Sequence, residues 1–194
     1  MCGSIGLVTL IYVVQHGDKE RLAGDPGLTA LGRDQATATA RWLRGAGLQA
    51  LFSSPLRRAQ QTAAAIAAAT GLPVQLDSRL RERWNWDGTQ TFDSFVADWD
   101  RSARDRDYTP SNGESSRSAG DRMRAFVAGL SGKPGPVAAV SHGGVTTDLL
   151  RTLLGDEALP PHLLAEGIPP CAVTTLDRLH VVAIASTSHL GQAH

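Results

Sequence analysis

The stretch Val8-Thr-Leu-Ile-Tyr-Val-Val14, followed at once by Gln15-His16-Gly17, decides the fold. It is apolar, rich in β-branched residues and free of charge, which is typical of a strand covered on both faces in a parallel sheet. A second buried strand is predicted at 136–140, and Ser141-His-Gly-Gly144 follows it directly. Neighbouring parallel strands end at the same edge of a sheet, so we expect the two histidines to lie side by side, each with a glycine that lets a ligand approach.

The remainder of the chain alternates strands with helices. Further strands are predicted at 48–52, 74–76, 172–176 and 180–185, and helices at 29–45, 56–70, 92–106, 114–130 and from 144 to 154. This alternation predicts an α/β fold, a three-layer α/β/α sandwich around a mostly parallel central sheet. We expect one domain over residues 1–194.

Composition excludes several classes of function. The 194 residues include 19 basic and 19 acidic side chains, so no basic excess is available for nucleic acid or for a polybasic membrane anchor. The apolar stretch at 8–14 is too short to span a bilayer, and no Lys or Arg precedes it as in a signal peptide. Cys2 and Cys171 form no CxxC motif, so we expect reduced thiols and a cytoplasmic protein.

Two further segments carry groups that suit phosphate chemistry. In Ser53-Ser-Pro-Leu-Arg-Arg-Ala59 a strand meets a helix, and Arg57 or Arg58 would stand near the helix N-terminus, where anions bind; a solvated basic face is the alternative. Glu82 lies in Leu80-Arg-Glu-Arg-Trp-Asn-Trp86, where tryptophans could partly desolvate it and favour the protonated form that a general acid needs; alone it would be a surface glutamate.

Together these segments resemble the histidine phosphatase superfamily, also called the phosphoglycerate mutase-like family, branch 1. Five segments carry the resemblance, in order along nearly the whole chain: Tyr12-Val-Val-Gln-His-Gly17, Leu28-Thr-Ala-Leu-Gly32, Ser53-Ser-Pro-Leu-Arg-Arg-Ala-Gln-Gln-Thr62, Asn112-Gly-Glu-Ser115 and Val140-Ser-His-Gly-Gly144.

The resemblance implies a role for each matched residue. His16 would be the nucleophile that forms a phosphohistidine intermediate. Arg58, rather than Arg57, would bind the phosphoryl oxygens, and His142 would stabilise their charge in the transition state, with Gly143 beside it in the phosphate site. Glu82 would protonate the leaving group and later activate water. Neither a metal nor a cofactor is implied.

One position departs from the family pattern, because Gln15 stands where an Arg usually precedes the nucleophile. A neutral amide in place of a guanidinium would cost about 1.5 to 3 kcal/mol of phosphate binding. It would also leave the pKa of His16 higher than in relatives with Arg, so that activity fails sooner as pH falls. Lys19 and Arg21, in the following loop, are candidates to restore positive charge, although for each of them a solvated side chain is favoured over a catalytic role.

The stretch after Glu82 looks shorter than in the family, so Asp87, and more weakly Glu114, are kept as alternative acids. Aromatic side chains are concentrated in the same part of the chain, at Trp84, Trp86, Phe92, Phe95 and Trp99. We expect half or more of these to belong to the core and the others to contact an apolar or ring-bearing leaving group.

The favoured reading is a phosphatase that hydrolyses a small phosphorylated metabolite, with phosphopeptides as a further possibility. A phosphoglycerate-type mutase is one alternative, although that class usually carries longer insertions. The other is a weakened, phosphate-binding pseudoenzyme produced by Gln15, against which the retention of both histidines, Arg58 and Glu82 argues. Oligomeric state stays open, and a homodimer could form through the apolar final strand.

Overall fold

The computed structural model describes residues 10–130 and 132–191, which form one six-stranded sheet between layers of helices. Positions 8 and 9 of the predicted first strand, and Cys2, lie outside these ranges. The strands are β1 (Leu10–Gln15), β2 (Ala50–Ser53), β3 (Val74–Leu76), β4 (Val137–Ser141), β5 (Val173–Asp177) and β6 (His180–Ser186). The helices are α1 (Ala30–Arg44), α2 (Arg57–Thr70), α3 (Phe92–Arg104), α4 (Ser116–Ala128), α5 (Gly143–Leu154) and α6 (Pro161–Glu166), with short 3-10 turns at Ser78–Leu80, Asp156–Ala158 and Ser188–Leu190.

The strand order is β3-β2-β4-β1-β5-β6. The β3–β2, β2–β4 and β4–β1 pairs are parallel, and the β1–β5 and β5–β6 pairs are antiparallel. The predicted α/β fold is confirmed, with the parallel pairs in the half of the sheet that holds both histidines. β1 and β4 are neighbours in register, with Gln15 opposite Ser141, so His16 and His142 leave the sheet at the same edge.

Successive side chains of the central strands point to opposite faces of the sheet, and each face packs in its own apolar core. Val13 packs in a cluster that contains Met123 of α4 and Leu149 of α5. Val14, the next residue, packs on the opposite face with residues of α1 and α2, among them Ile66. Each central strand is therefore covered on both sides, which is why its sequence is apolar without interruption.

Capping and small residues set the helices in place. Thr29 accepts a hydrogen bond from the amide of Gly32 at the start of α1. In α2 the buried Ala59 and Ala63 let the helix lie close to the sheet, and Gly71 ends it in a left-handed conformation with φ 75°.

The structure corrects the predicted bounds in a few places. α3 ends at Arg104, not near 106, because Asp105 is extended, and α4 begins at Ser116 because Ser115 caps it from outside. The sequence does not predict the short helix α6; Pro160 is its N-cap and Pro161 its first residue, a position that tolerates proline.

β6 lies at the edge of the sheet, with Val182 exposed, so pairing with a second copy through this strand stays a prediction. Within the described ranges, none of the helices is both long enough and apolar enough to cross a membrane.

Candidate active site

The rings of His16 and His142 lie edge to face, with their centroids 5.1 Å apart, at the shared edge of β1 and β4. The side-by-side placement expected from the two His-Gly sequences is therefore present in the fold. Both histidines are buried, and the backbone amide of His16 donates to the carbonyl of Ser141, which ties the two loops together.

Hydrogen bonds define which nitrogen of His16 is free to react. Its Nδ1 lies 2.7 Å from the carbonyl oxygen of Gly17, which can only accept, so Nδ1 carries the proton. Nε2 accepts from Nε of Arg58 over 3.0 Å. His16 is thus held as the neutral tautomer with the lone pair on Nε2, which is the form that a nucleophile requires.

Arg58 comes from the first turn of α2 and is almost completely buried. Its Nη2 donates to Oδ1 of Asn85 over 2.8 Å. Its Nη1 is 3.6 Å from a carboxylate oxygen of Asp25, too far for a hydrogen bond, and has no other partner. The guanidinium therefore holds His16 with one nitrogen and keeps another unpaired donor beside it.

His142 has one satisfied and one unsatisfied ring nitrogen. Its Nε2 lies 2.7 Å from the hydroxyl of Ser54, while its buried Nδ1 has no hydrogen-bond partner. If the Ser54 hydroxyl donates to Nε2, Nδ1 carries the proton and is a second unpaired donor near His16. Unpaired buried donors of this kind are expected where an anion binds.

Burial keeps both histidines neutral. Desolvation, followed by the charge of Arg58, lowers the pKa of His16 to about 3. Desolvation likewise lowers the pKa of His142 well below its usual value, and neighbouring His16 and Arg58 act in the same direction. A cation at position 15 is therefore not needed to keep His16 unprotonated.

Gln15 is buried beside His16, with its Nε2 3.5 Å from Nε2 of His16 and its Oε1 without a hydrogen-bond partner. Gly143 lies next to it, and a Cβ at that position would be in ordinary contact with the side-chain nitrogen of Gln15, at 3.4 Å. Both residues line a polar cavity of about 650 Å³ that also contacts Trp99. The side-chain amide of Gln15 thus lies next to His16 and at the wall of this cavity.

Glu82 is anchored at the N-terminus of α5. Its Oε1 accepts from the backbone amides of Arg83 and Val145, both at 2.9 Å, and its Oε2 accepts from that of Gly144 at 3.0 Å. Two N–H donors occupy both lone pairs of Oε1, whereas Oε2 keeps one lone pair free. Oε2 is thus the oxygen able to carry a proton.

Gly144 has to be a glycine for this arrangement. A Cβ there would meet Oε1 of Glu82 at 2.6 Å and the ring of Trp99 at 2.8 Å. The second glycine of the Ser-His-Gly-Gly motif therefore makes room for the carboxylate at the helix end.

The alternative acids stand elsewhere. Asp87 is exposed and accepts from Thr89 and Asn112, and these hydrogen bonds hold its pKa below the usual value. Glu114 forms ion pairs with Arg81 and with Arg122, the latter at 2.7 Å. Neither carboxylate lines the cavity into which Glu82 opens.

A buried ion pair holds the Glu82 loop against α5. Arg83 donates from Nη1 to both carboxylate oxygens of Asp148 at 2.8 Å, and its guanidinium stacks 4.1 Å from the centre of the Trp99 ring. Ser116, at the start of α4, also donates to Asp148. These contacts fix the residue that directly follows Glu82.

Arg58 and Glu82 open into a cavity of about 370 Å³. Lys19 and Arg21 line it as well, so the two cations considered as substitutes for a missing arginine do reach the pocket. Desolvation, and then the charge of Arg58, lowers the pKa of Lys19. Arg57 does not line this cavity; its backbone amide donates to Asp25.

The other matched motifs support the His16 loop. Gly17 and Gly32 are in backbone contact, since a Cβ on Gly17 would lie 2.4 Å from the carbonyl oxygen of Gly32. The amide of Gly17 also donates to the hydroxyl of Thr62 at 3.1 Å. Thr29 donates to Oδ2 of Asp18 at 2.7 Å. The Leu-Thr-x-x-Gly and Arg-Ala-x-x-Thr patterns thus hold the nucleophile's loop.

Sequence reasoning missed three residues of the site, namely Ser54, Asn85 and Asp25. Ser54 belongs to a quoted motif, and a polar residue at a strand end was the available signal. Asn85 and Asp25 lie in loops whose approach to Arg58 depends on the tertiary fold. In the part of the chain that the structure describes, no three His, Cys, Asp or Glu side chains are grouped so as to hold a metal ion.

Comparison with known proteins agrees with this geometry. The model of the histidine phosphatase superfamily (branch 1) matches residues 11–181. A glucosyl-3-phosphoglycerate phosphatase of Mycolicibacterium vanbaalenii is 34% identical over 76% of this chain and 75% of its own length. A probable phosphoglycerate mutase of Yersinia enterocolitica is 36% identical over 78% of this chain and 76% of its own.

Among solved structures, a mycobacterial glucosyl-3-phosphoglycerate phosphatase in complex with inorganic phosphate superposes with a TM-score of 0.76 at 30% identity, covering 93% of this chain and 99% of that one. The chain belongs to the histidine phosphatase superfamily, branch 1. Within that superfamily it is a phosphatase, as the sequence predicts, and the mutase alternative is the weaker one.

Proposed function

We propose that the chain hydrolyses a small phosphomonoester in two steps, through a phosphohistidine on Nε2 of His16. The observation that carries the proposal is the unprotonated Nε2 of His16, whose tautomer is fixed by Gly17 at Nδ1 and whose lone pair accepts only from the N–H of Arg58. Two buried nitrogens of the site have no hydrogen-bond partner, Nη1 of Arg58 and Nδ1 of His142, and could donate to phosphoryl oxygens.

In the first step the Nε2 lone pair of His16 forms a bond to phosphorus, and the ester P–O bond breaks. The electron pair of that bond goes to the leaving oxygen, which takes a proton from Oε2 of Glu82. In the free protein the Nε–H of Arg58 donates a hydrogen bond to Nε2 of His16. As phosphorus approaches, this N–H donates to a phosphoryl oxygen instead, and Arg58 keeps its proton.

In the second step a water molecule replaces the released alcohol. Glu82, now ionised, takes one proton of this water on Oε2 while the water oxygen attacks phosphorus. The P–N bond breaks, its electron pair returns to Nε2 of His16, and inorganic phosphate leaves with the remaining proton. The backbone amides at the start of α5 keep the carboxylate in place throughout.

In this scheme hydrogen-bond donors and cations of the protein stabilise the negative charge on the phosphoryl group. Arg58 supplies a buried guanidinium, His142 a neutral N–H, and Gln15 an amide in place of a second guanidinium. Lys19 and Arg21 add positive charge at the cavity wall. The proposal assigns no step to a metal or a cofactor.

The substrate belongs to the small phosphorylated metabolites, and glucosyl-3-phosphoglycerate is a candidate because similar phosphatases carry that name.

The mutase alternative requires water to be kept from the phosphohistidine. Leu22 and Phe92, which line the cavity, are more than half exposed, and an open pocket of this kind favours hydrolysis. A cytoplasmic location stays a prediction.

Hydrolysis of p-nitrophenyl phosphate and of a panel of metabolite phosphates in EDTA tests the proposal. We expect turnover by the wild type and by His180→Ala, an exposed histidine that serves as the matched control, and its loss in His16→Ala. Equal turnover by His16→Ala would overturn the route through His16. If the wild type shows no turnover but Gln15→Arg does, the protein is instead a phosphate-binding relative of the phosphatases that has lost activity through Gln15.

A further inference from the structure

Half of the chain's ten aromatic side chains line the cavity into which Arg58 opens. Three of the four tryptophans and two of the four phenylalanines do so, and together with a valine they form what we call the aromatic wall: Trp84, Trp86, Phe92, Phe95, Val96 and Trp99. The rings are in contact with one another, for example Trp84 with Phe95 at 4.7 Å between centroids.

The wall is not part of the hydrophobic core. Of its six side chains only Trp84 is buried, which corrects the expectation that half or more of the aromatics are core residues. Phe92, Phe95, Val96 and Trp99 form the apolar stripe of α3, and this stripe lines the cavity. An apolar helix face left open to a pocket indicates a ligand that covers it.

The cavity lining includes five side chains other than the indoles that can form hydrogen bonds, namely Lys19, Arg21, Arg58, Glu82 and Asn85. The charges of Arg58 and Lys19 act on His16, and the Oδ1 of Asn85 already accepts from Arg58. The indole N–H of Trp86 donates to the carbonyl of Gln90, and that of Trp84 donates to Asn112. These two indoles therefore offer their carbon faces, and no spare donor, to a ligand.

We propose that the preferred substrate is a phosphomonoester whose leaving group carries an apolar ring or chain seated on the aromatic wall. This inference rests on the proposed function, because it takes the leaving group to extend from the phosphate at His16 into the cavity. A hydroxyl-rich sugar would bury its hydroxyls against carbon and lose hydrogen bonds to water. The wall thus favours a different leaving group from the glucosyl-phosphoglycerate of the similar phosphatases.

Two primary alkyl phosphates provide the test, because their leaving groups differ in polarity but little in chemical reactivity. We expect kcat/KM to be at least tenfold higher for 2-phenylethyl phosphate than for glycerol 1-phosphate. The corresponding non-hydrolysable phosphonates, measured by calorimetry, give the same comparison as binding affinities and do not depend on turnover.

Matched variants locate the preference. Leu22 lines the cavity and is 61% exposed, whereas Leu31 lies outside it and is 59% exposed. Phe92→Ala and Leu22→Ala should both lower the ratio of the two kcat/KM values, by tenfold or more for Phe92→Ala, while Leu31→Ala leaves the ratio unchanged. Phe92 is 52% exposed, so its removal leaves the core intact, and the Tm of each variant checks this.

The two proposals fail in different ways. The aromatic-wall proposal is overturned if turnover depends on His16 but shows no preference for 2-phenylethyl phosphate. It is also overturned if Phe92→Ala does not change the ratio of the two kcat/KM values. Either result leaves the phosphatase mechanism unaffected. Absence of all turnover, with tighter binding of the 2-phenylethyl phosphonate, would overturn the hydrolytic mechanism and support the wall as a ligand site.

Discussion

Arg58 donates its Nε–H to Nε2 of His16 across 3.0 Å, so the residue expected to bind phosphate also covers the nucleophile's lone pair. This contact is possible because Arg58 lies in the first turn of α2, directly after the Ser-Ser-Pro junction of β2. The free protein thus keeps its nucleophile neutral, oriented and protected, and binding of a phosphoryl group would replace one acceptor of Arg58 by another.

Replacing Arg58 by lysine tests the guanidinium itself. Arg58→Lys retains the charge but loses the fork that reaches His16, Asn85 and the phosphoryl group together. We expect kcat/KM for p-nitrophenyl phosphate to fall about 100-fold. The neighbouring Arg57→Lys, whose side chain does not line the cavity, is the matched control and should stay within about twofold. A similar loss in both variants would contradict the assignment.

The depressed pKa of His16 makes stability depend on pH. The unfolded chain binds a proton at this histidine below about pH 6.5, whereas the folded protein does so only near its pKa of about 3. Between these two values, lowering the pH by one unit should therefore reduce the free energy of unfolding by about 1.4 kcal/mol through the titration of His16. In His16→Asn, urea unfolding between pH 6 and 4 should show a slope smaller by about this amount. An unchanged slope would contradict burial of a neutral His16.

The same pKa bears on Gln15. The sequence suggests that activity fails sooner on acidification than in relatives with Arg, but burial and Arg58 already keep His16 neutral to about pH 3. We therefore expect wild type and Gln15→Arg to share the shape of their kcat/KM profiles down to about pH 5. Gln15→Arg should still bind inorganic phosphate about 10- to 100-fold more tightly. Profiles that separate near pH 6 would favour the sequence-based expectation.

The role of Glu82 is tested through the leaving group. An alkoxide needs a proton far more than p-nitrophenolate does, so Glu82→Gln should reduce kcat/KM for an alkyl phosphate about 1000-fold and for p-nitrophenyl phosphate much less. The variant keeps the side chain's size, and its amide oxygen can still accept from Val145, whereas its NH2 group cannot accept from Gly144. Asp87→Asn and Glu114→Gln serve as controls. If either control shows the leaving-group dependence and Glu82→Gln does not, the acid has been misassigned.

The Arg83–Asp148 pair positions Glu82 without touching substrate in our account. Asp148→Leu leaves a buried guanidinium without its carboxylate and should destabilise the protein by about 3 to 5 kcal/mol. The double variant Arg83→Met, Asp148→Leu should recover most of that stability. Its kcat should nevertheless stay low with unchanged KM, because Glu82 loses its support. Full kcat in a stable double variant would show that the pair serves folding alone.

Much of the site could be predicted from the sequence because local motifs encode strand ends. His16 and His142 follow the two central strands, and their contact follows from parallel pairing of those strands. Ser54 was signalled only as a polar residue at a strand end, and Asn85 could not be assigned, since its contact with Arg58 depends on how its loop approaches α2 in the tertiary fold. The role of α3 was also misjudged. Its apolar periodicity is the same whether it faces a core or an open cavity, and only packing distinguishes the two.

The measurement that tests the central claim most directly is chemical trapping of the phosphoenzyme. Glu82→Gln should accumulate it with p-nitrophenyl phosphate, because this leaving group needs little acid assistance whereas the water step lacks its base. After an alkaline quench, peptide mass spectrometry and phosphorus NMR should show phosphate on Nε2 of His16, with none in the His16→Ala, Glu82→Gln double variant. Phosphate on another residue, or product formation in a burst with no phosphoenzyme, would contradict the account.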